Sequence, residues 1–382
     1  MKPFRALGIR FGEGLRTGVV EAEVPDLSTF SERPSRSVHL DAVTVAPPAA
    51  FWTPLSGPVP GRLVHGTLPG DPHARFLLRL PKAWNGRLVV SGSPGLTCER
   101  GYDLYWSDFL LSRGYAFACT DKGVQVALCP SGVVFVPLAG ENSIRRWFPR
   151  LKALTSFAVE EARKAFSRAP ERIYVVGVSN GGFLARKAAE EGGVFDGAVD
   201  VSGVFWSPGR SLLLQLPRLL RIVARTPLDR EALRSAGVAA EPDWDPVLQL
   251  YRTLYWENTL AFFVGDLDPG YLAPLTDYDL SARSEAVRES IAGFETTGDL
   301  AKPLISLSGK RDFLITHDGH FLPYLKAVRT RGKESLHRTI VLEKATHVDK
   351  DREFFPFVEP LMPKAHEAFL AMTRWVEEGK AP

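Results

Sequence analysis

The sequence predicts an α/β protein: a mostly parallel central sheet with helices on both faces and a helical insertion late in the chain. Three observations carry this. Between residues 86 and 203, short apolar β-branched runs alternate with amphipathic stretches of helical length, the pattern of strands covered on both sides. Residues 171–190, ERIYVVGVSNGGFLARKAAE, read as strand, glycine-framed turn and helix without interruption. From about Phe205 to Asp299 the apolar β-runs stop, and two more appear afterwards at 303–308 and 339–343.

Each element follows from local pattern. Residues 1–60 are irregular and become proline-rich (Pro47, Pro48, Pro54, Pro58, Pro60), with short alternations such as Ser37-Val38-His39-Leu40. They are expected to be an N-terminal extension that packs on the core or extends the sheet edge. Arg62 to Leu68 and Arg75 to Leu80 alternate as the arms of a hairpin about Pro69-Gly70-Asp71-Pro72. Arg87 to Val90 is a short apolar run, expected to be a central strand. Tyr102 to Ser112 has a helical apolar face and stops at Gly114. Tyr115 to Thr120 is the next strand, and Val124 to Leu138 reads as a hairpin turning at Pro130-Ser131-Gly132. A long helix over 143–168 ends before Pro170, the strand Arg172 to Val176 follows, and 193–203 holds another strand.

Residues 61–204 and 300–382 are therefore expected to form one core, with 205–299 as an inserted lid. The insertion shows helical stretches at 211–225, 229–235, 247–264 and 281–292. Nearly a hundred mostly helical residues between two strands suit a cap over a site. Its aromatic residues form a small core of their own or line a pocket; Trp206, Tyr255 and Trp256 are the candidate substrate-binding residues. A helix over 362–379 closes the domain.

Composition narrows the function. At 382 residues the chain accommodates one full sheet plus an insertion. A net charge of +3, with no basic run interleaved with aromatics, argues against nucleic acid as a partner. No apolar run approaches the roughly 18–20 residues of a membrane span. The opening residues lack the apolar core of a signal peptide, so a cytoplasmic protein is expected. Cys98, Cys119 and Cys129 have no metal-ligand spacing and suit reduced thiols, with a Cys98–Cys129 bridge left open. No metal and no cofactor are expected.

The chemistry centres on Ser179. Gly177-Val178-Ser179-Asn180-Gly181 is a G-x-S-x-G string between a strand and a helix, the nucleophile elbow of the α/β-hydrolase fold. The serine must stand at the tip of a sharp turn, and glycines two residues away on each side let strand and helix pass closely. The helix start then points unpaired N–H groups at the reaction centre. A second oxyanion donor is expected from Ser91-Gly92-Ser93-Pro94-Gly95, after the strand at 87–90. Pro94 has no N–H, so Ser93 is the candidate, together with Asn180.

A serine hydroxyl needs a histidine to take its proton, and the histidine needs a carboxylate to hold its tautomer. In this fold the chain order is serine, acid, histidine. Asp312 follows the strand at 303–308, and His347 follows the strand at 339–343. His39, His65 and His73 come too early; His317 and His320 share the acid loop, His337 precedes the last strand and His366 lies on the final helix. Asp318 competes with Asp312, whereas Asp200 reads as part of a continuous strand.

Three strings resemble the tannase and feruloyl esterase group of α/β-hydrolases: Pro81-x-x-Trp84-Asn85-Gly86-Arg87, Gly114-Tyr115-Ala116 leading to Thr120-Asp121-Lys122-Gly123, and Gly177-x-Ser179-Asn180-Gly181-Gly182. The similarity extends to 3-hydroxybutyrate-oligomer hydrolases and covers about 62–203 and 303–350. It implies cleavage of carboxylic esters through an acyl-enzyme, with Ser179, Asp312 and His347 at the triad positions. The group typically bridges two cysteines that precede the serine and the histidine. Here those positions are Val178 and Thr346, so this bridge is absent. The leading expectation is a serine carboxylesterase acting on aromatic or hydroxyalkanoate esters, as small molecules or polyester oligomers. A peptidase or acyltransferase on the same triad, or a catalytically silent binding protein, are the alternatives.

Overall fold

The computed structural model describes residues 18–28, 55, 57–95, 99, 103–124, 126–129, 132–135, 140–226 and 228–382. The alternation at 37–40, the prolines at 47, 48 and 54, the Pro130-Ser131 turn and the Cys98–Cys129 pairing lie outside these residues or their described side chains.

The apolar run after Gly86 becomes strand β4 (Arg87–Gly92) because alternate residues meet different layers: Leu88 and Val90 join one apolar cluster, Val89 the other. In chain order the preceding strands are β1 (Val19–Val24), β2 (Gly61–Leu68) and β3 (Asp71–Pro81). The following ones are β5 (Ala116–Thr120), β6 (Val126–Cys129), β7 (Gly132–Phe135), β8 (Arg172–Val178), β9 (Gly197–Val201), β10 (Leu304–Gly309) and β11 (His337–Leu342). Nine of them form one sheet in the order β1-β2-β3-β5-β4-β8-β9-β10-β11, while β6 and β7 pair separately as a hairpin. The pairs from β1 to β5 are antiparallel and those from β5 through β4 to β11 are parallel. The strand β1 thus extends the sheet edge.

Helices α1 (Asp103–Leu111), α2 (Trp147–Phe166) and α3 (Asn180–Glu191) alternate with the strands. One face of the sheet packs on Leu151 and Leu154 of α2 and on Phe183 and Leu184 of α3. The other packs on α1 and on the last helix, here numbered by its place in the chain as α10 (Met362–Glu378). There the ring of Phe369 meets Tyr115 at 5.3 Å and Tyr174 at 5.6 Å. Burial of such a ring contributes about 1.5–3 kcal/mol.

Between β9 and β10 lie α4 (Leu212–Arg225), α5 (Arg230–Ser235), α6 (Asp245–Leu254), α7 (Trp256–Leu267) and α8 (Glu285–Glu289). The stretch expected as one helix over 247–264 is two, broken at Tyr255, with anchors on both sides of the break: the Tyr251 hydroxyl bonds Asp351, and Trp256 Nε1 bonds the Phe313 carbonyl at 2.7 Å. The helix expected over 281–292 shrinks to α8, which begins where the Ser284 hydroxyl accepts the Val287 N–H. A wide turn at His317–Phe321 runs into α9 (Leu322–Thr330), a helix that the sequence reading missed. Among the described residues, no helix is long and apolar enough to cross a membrane.

Candidate active site

Ser179 occupies the sharp turn between β8 and α3 with φ 58° and ψ −116°, a left-handed conformation that a serine adopts only at some cost. Its N–H donates to the Val201 carbonyl at 2.8 Å, and its carbonyl accepts from Phe183 at 2.9 Å, so the backbone is held from both sides. The flanking glycines are required by space. A Cβ on Gly177 would lie 2.2 Å from the Gly181 carbonyl carbon, and one on Gly182 would lie 2.6 Å from Asp200 Oδ1.

Asp312 and His347 arrive on two loops from the carboxyl ends of adjacent parallel strands, β10 and β11. The loops touch through backbone: the Arg311 N–H donates to the Ala345 carbonyl at 3.0 Å, and a Cβ on Gly309 would meet that same oxygen at 2.3 Å. The Asp312 Oδ1 accepts the N–H groups of Leu314 and Ile315 at 2.9 and 2.8 Å, which aims Oδ2 at the histidine. The Nδ1 of His347 lies 2.7 Å from that Oδ2, and its Nε2 lies 2.9 Å from Ser179 Oγ. All three side chains are buried. A proton can therefore pass from the hydroxyl to Nε2 while Asp312 holds the other nitrogen as a donor.

The competitors stand elsewhere. Asp318 is exposed on the wide turn. His320 is fully buried, with Nε2 donating to Gln215 Oε1 at 2.6 Å and Nδ1 accepting the Phe205 N–H at 3.2 Å. Burial, then the positive charge of Arg186, pushes its imidazole down to about 3, so it remains neutral. Asp200 lies within β9 and pairs with Arg186 of α3 at 2.6 Å.

One expectation changes here. The Ser93 N–H, expected to face the oxyanion, donates to the Thr120 carbonyl at 2.9 Å and so continues the ladder between β4 and β5. The Ser93 hydroxyl accepts from the buried Lys122 ammonium at 2.7 Å. Asn180 is the first residue of α3, where a helix leaves its N–H without an intrahelical partner. Its side-chain Nδ2 donates to the Gly95 carbonyl at 3.3 Å, fastening the loop after β4 to the elbow.

Trp206 and Trp256, expected to line a pocket, are both 0% exposed. Trp206 packs edge-on against Phe263 and Phe294, at 4.8 and 5.5 Å, inside the helical insertion. Their large rings serve as core because the insertion has no sheet of its own to bury. Tyr255 is half-buried beside Tyr251, ring centres 4.9 Å apart, and is the one of the three that retains a surface. Asp266 and Asp268, a short acidic pair, bond the Ile144 N–H and Arg283 respectively. Among the described residues no group of three or more His, Cys, Asp or Glu side chains is placed to hold a metal ion.

The Trp84-Asn85-Gly86-Arg87 string makes a turn. Trp84 Nε1 donates to the Arg87 carbonyl at 2.8 Å, Asn85 Oδ1 accepts the Arg87 N–H at 2.9 Å, and the ring of Trp84 stacks on Phe166 at 4.4 Å. Sequence reasoning missed Tyr251 and Asp351, which join the insertion to the histidine loop. Only their types and their distance from His347 were visible.

No family model matches the sequence, and no curated protein matches it. Solved structures do. Feruloyl esterase B from Aspergillus oryzae superposes with a TM-score of 0.59 at 15% identity, covering 95% of this chain and 87% of that one. An esterase from Aspergillus oryzae gives 0.61 at 13% identity, covering 95% and 88%. Tannin acyl hydrolase from Aspergillus niger gives 0.53 at 13% identity, covering 95% and 83%. Likeness that spans nearly the whole chain at such low identity is likeness of architecture, and it agrees with the strand order and the elbow: the chain has the α/β-hydrolase fold.

Proposed function

We propose that this protein hydrolyses carboxylic esters through an acyl-enzyme on Ser179. The observation that carries the reading is the unbroken line from Asp312 Oδ2 through both nitrogens of His347 to Ser179 Oγ, with steps of 2.7 and 2.9 Å. Ser179 Oγ attacks the ester carbonyl as His347 Nε2 takes its proton. Asp312 holds the imidazolium, and the Asn180 N–H at the start of α3 stabilises the oxyanion. Collapse expels the alcohol, which receives the proton from His347. Water then repeats the sequence on the acyl-serine, with His347 as base, and releases the acid.

The substrates proposed are aromatic or hydroxyalkanoate esters. The fold is shared with proteins described as feruloyl esterase and tannin acyl hydrolase, and Tyr255 offers an aromatic surface near the histidine loop. We read 205–299 as a lid, on the support of its two bonds to the acid and histidine loops. The test is turnover of p-nitrophenyl acyl esters, hydroxycinnamate esters and 3-hydroxybutyrate oligomers, with a fluorophosphonate probe to mark the nucleophile. Turnover and labelling at Ser179 are expected, both abolished in Ser179→Ala. Undiminished turnover in that variant overturns the mechanism.

A further inference from the structure

After His347 the chain makes a tight turn, Asp349–Glu353, that places two carboxylates in the interior within four residues of the imidazole. Asp349 accepts the N–H groups of Leu361 and Met362, at 2.6 and 2.9 Å, and so caps α10. Asp351 has a different set of partners. It is 2% exposed and accepts a hydrogen bond from the Tyr251 hydroxyl. His347 and Asp312 lie near enough for their charges to act on its carboxyl.

Tyr251 belongs to α6, in the insertion. Its ring packs on Tyr255 and, at 5.8 Å, on Phe313, the neighbour of Asp312. The Tyr251–Asp351 bond is therefore a buried link between the helical insertion and the loop that carries the histidine. Two apolar side chains would fill the same space without the cost of burying a carboxylate. The charge itself calls for an explanation.

We propose that Asp351 is a positioning residue for His347: its carboxylate, held by Tyr251, fixes the histidine loop against the insertion and stabilises the imidazolium formed when Ser179 gives up its proton. This rests on the Ser179–His347–Asp312 reading. The titratable and charged groups around Asp351 are Tyr251 from α6, Tyr255 at the break between α6 and α7, Asp312 from the loop after β10, and His347, Asp349 and Arg352 from its own loop. Burial first, and the like charge of Asp312, push the Asp351 carboxyl up to about 6, against the opposing effect of Tyr251, Thr346 and His347. Burial and the adjacent Asp351 raise the Tyr251 hydroxyl well above its ordinary range, so it stays a donor. Asp351 is then charged above about pH 6 and neutral below it.

The experiment compares kcat of the full chain and Asp351→Asn on one p-nitrophenyl ester from pH 5 to pH 8. Above pH 7 the wild type should be faster by about tenfold, the scale of one neighbouring charge, and the ratio should shrink toward one as pH falls through 6. Tyr251→Phe removes only the donor, so its Asp351 should become neutral at a higher pH, read as a ratio of wild-type to Tyr251→Phe kcat that rises between pH 7 and 6 and falls again below. A ratio that stays the same at every pH means packing alone and overturns the proposal. Should Asp351→Asn fail to fold by circular dichroism, Tyr251→Phe decides, and a wild-type to Tyr251→Phe ratio that does not change with pH overturns it. Undiminished turnover in Ser179→Ala would instead overturn the catalytic reading, whereas a dead Ser179→Ala with a pH-independent ratio overturns the role of Asp351 alone.

Discussion

A methyl group on Gly181 would stand 2.3 Å from the carbonyl oxygen of Gly92. The first turn of α3 thus rests directly on the end of β4, from which the loop 93–95 springs. The nucleophile and that loop are aligned by backbone contact, and the Asn180–Gly95 bond adds to it.

Gly181→Ala tests this alignment. The added carbon must displace either α3 or β4, and overpacking of this kind costs about 1–3 kcal/mol. We expect a lower urea midpoint and a fall in kcat larger than any change in KM. A variant with wild-type stability and turnover would show that the contact yields freely.

Ser179→Gly should separate stability from activity. The strain of a left-handed serine is of the order of 1–3 kcal/mol, and glycine relieves it. The thermal midpoint should rise while ester turnover disappears. A lower midpoint would mean that the Ser179 side chain contributes more to the fold than its backbone conformation costs.

The two aspartates of the acid loop should behave oppositely. Asp312→Asn keeps the shape but removes the acceptor for the His347 Nδ1–H, so kcat should drop by about 10³–10⁴. Asp318→Asn, at an exposed position, should leave kcat within about twofold. Initial rates on one ester decide between them; equal losses would reopen the assignment.

Asp349 gives a stability signal with a defined sign. Burial is the main cause that pushes its carboxyl from 3.8 to about 6 in the folded protein. The native state therefore holds a proton that the unfolded chain lacks between about pH 4 and 6, and this group's contribution to stability grows as pH falls through that window. Replacing it in Asp349→Asn should thus look increasingly unfavourable from pH 7 down to pH 4, by about 2–3 kcal/mol over the window. Urea unfolding at several pH values measures it, and a flat difference would count against the buried proton.

The elbow was legible because its constraint is steric and local: Gly177, Gly181 and Gly182 mark where no Cβ fits. The order Ser179, Asp312, His347 was legible because each follows an apolar strand pattern, and the sheet places those strand ends together. What escaped depends on direction in space. Trp206 and Trp256 have the composition of a pocket wall, yet they point inward, and no periodicity in 205–299 reveals that. Ser93 follows a strand as expected, but the carbonyl of Thr120, the last residue of β5, takes its N–H. The break at Tyr255 has no glycine or proline to announce it; it is fixed by bonds to residues about sixty and a hundred positions away.

The position of β11 has a further consequence. It is the last strand of the sheet, paired among the described residues only with β10, and its four central residues, Arg338 to Val341, are partly or fully exposed between two buried ends. His347 follows directly from it, whereas Ser179 follows from β8, which has a strand on either side. Edge elements open at lower free energy than central ones. Under gradual denaturation, then, the base should part from the nucleophile while the sheet is still intact, and loss of turnover should precede loss of secondary structure.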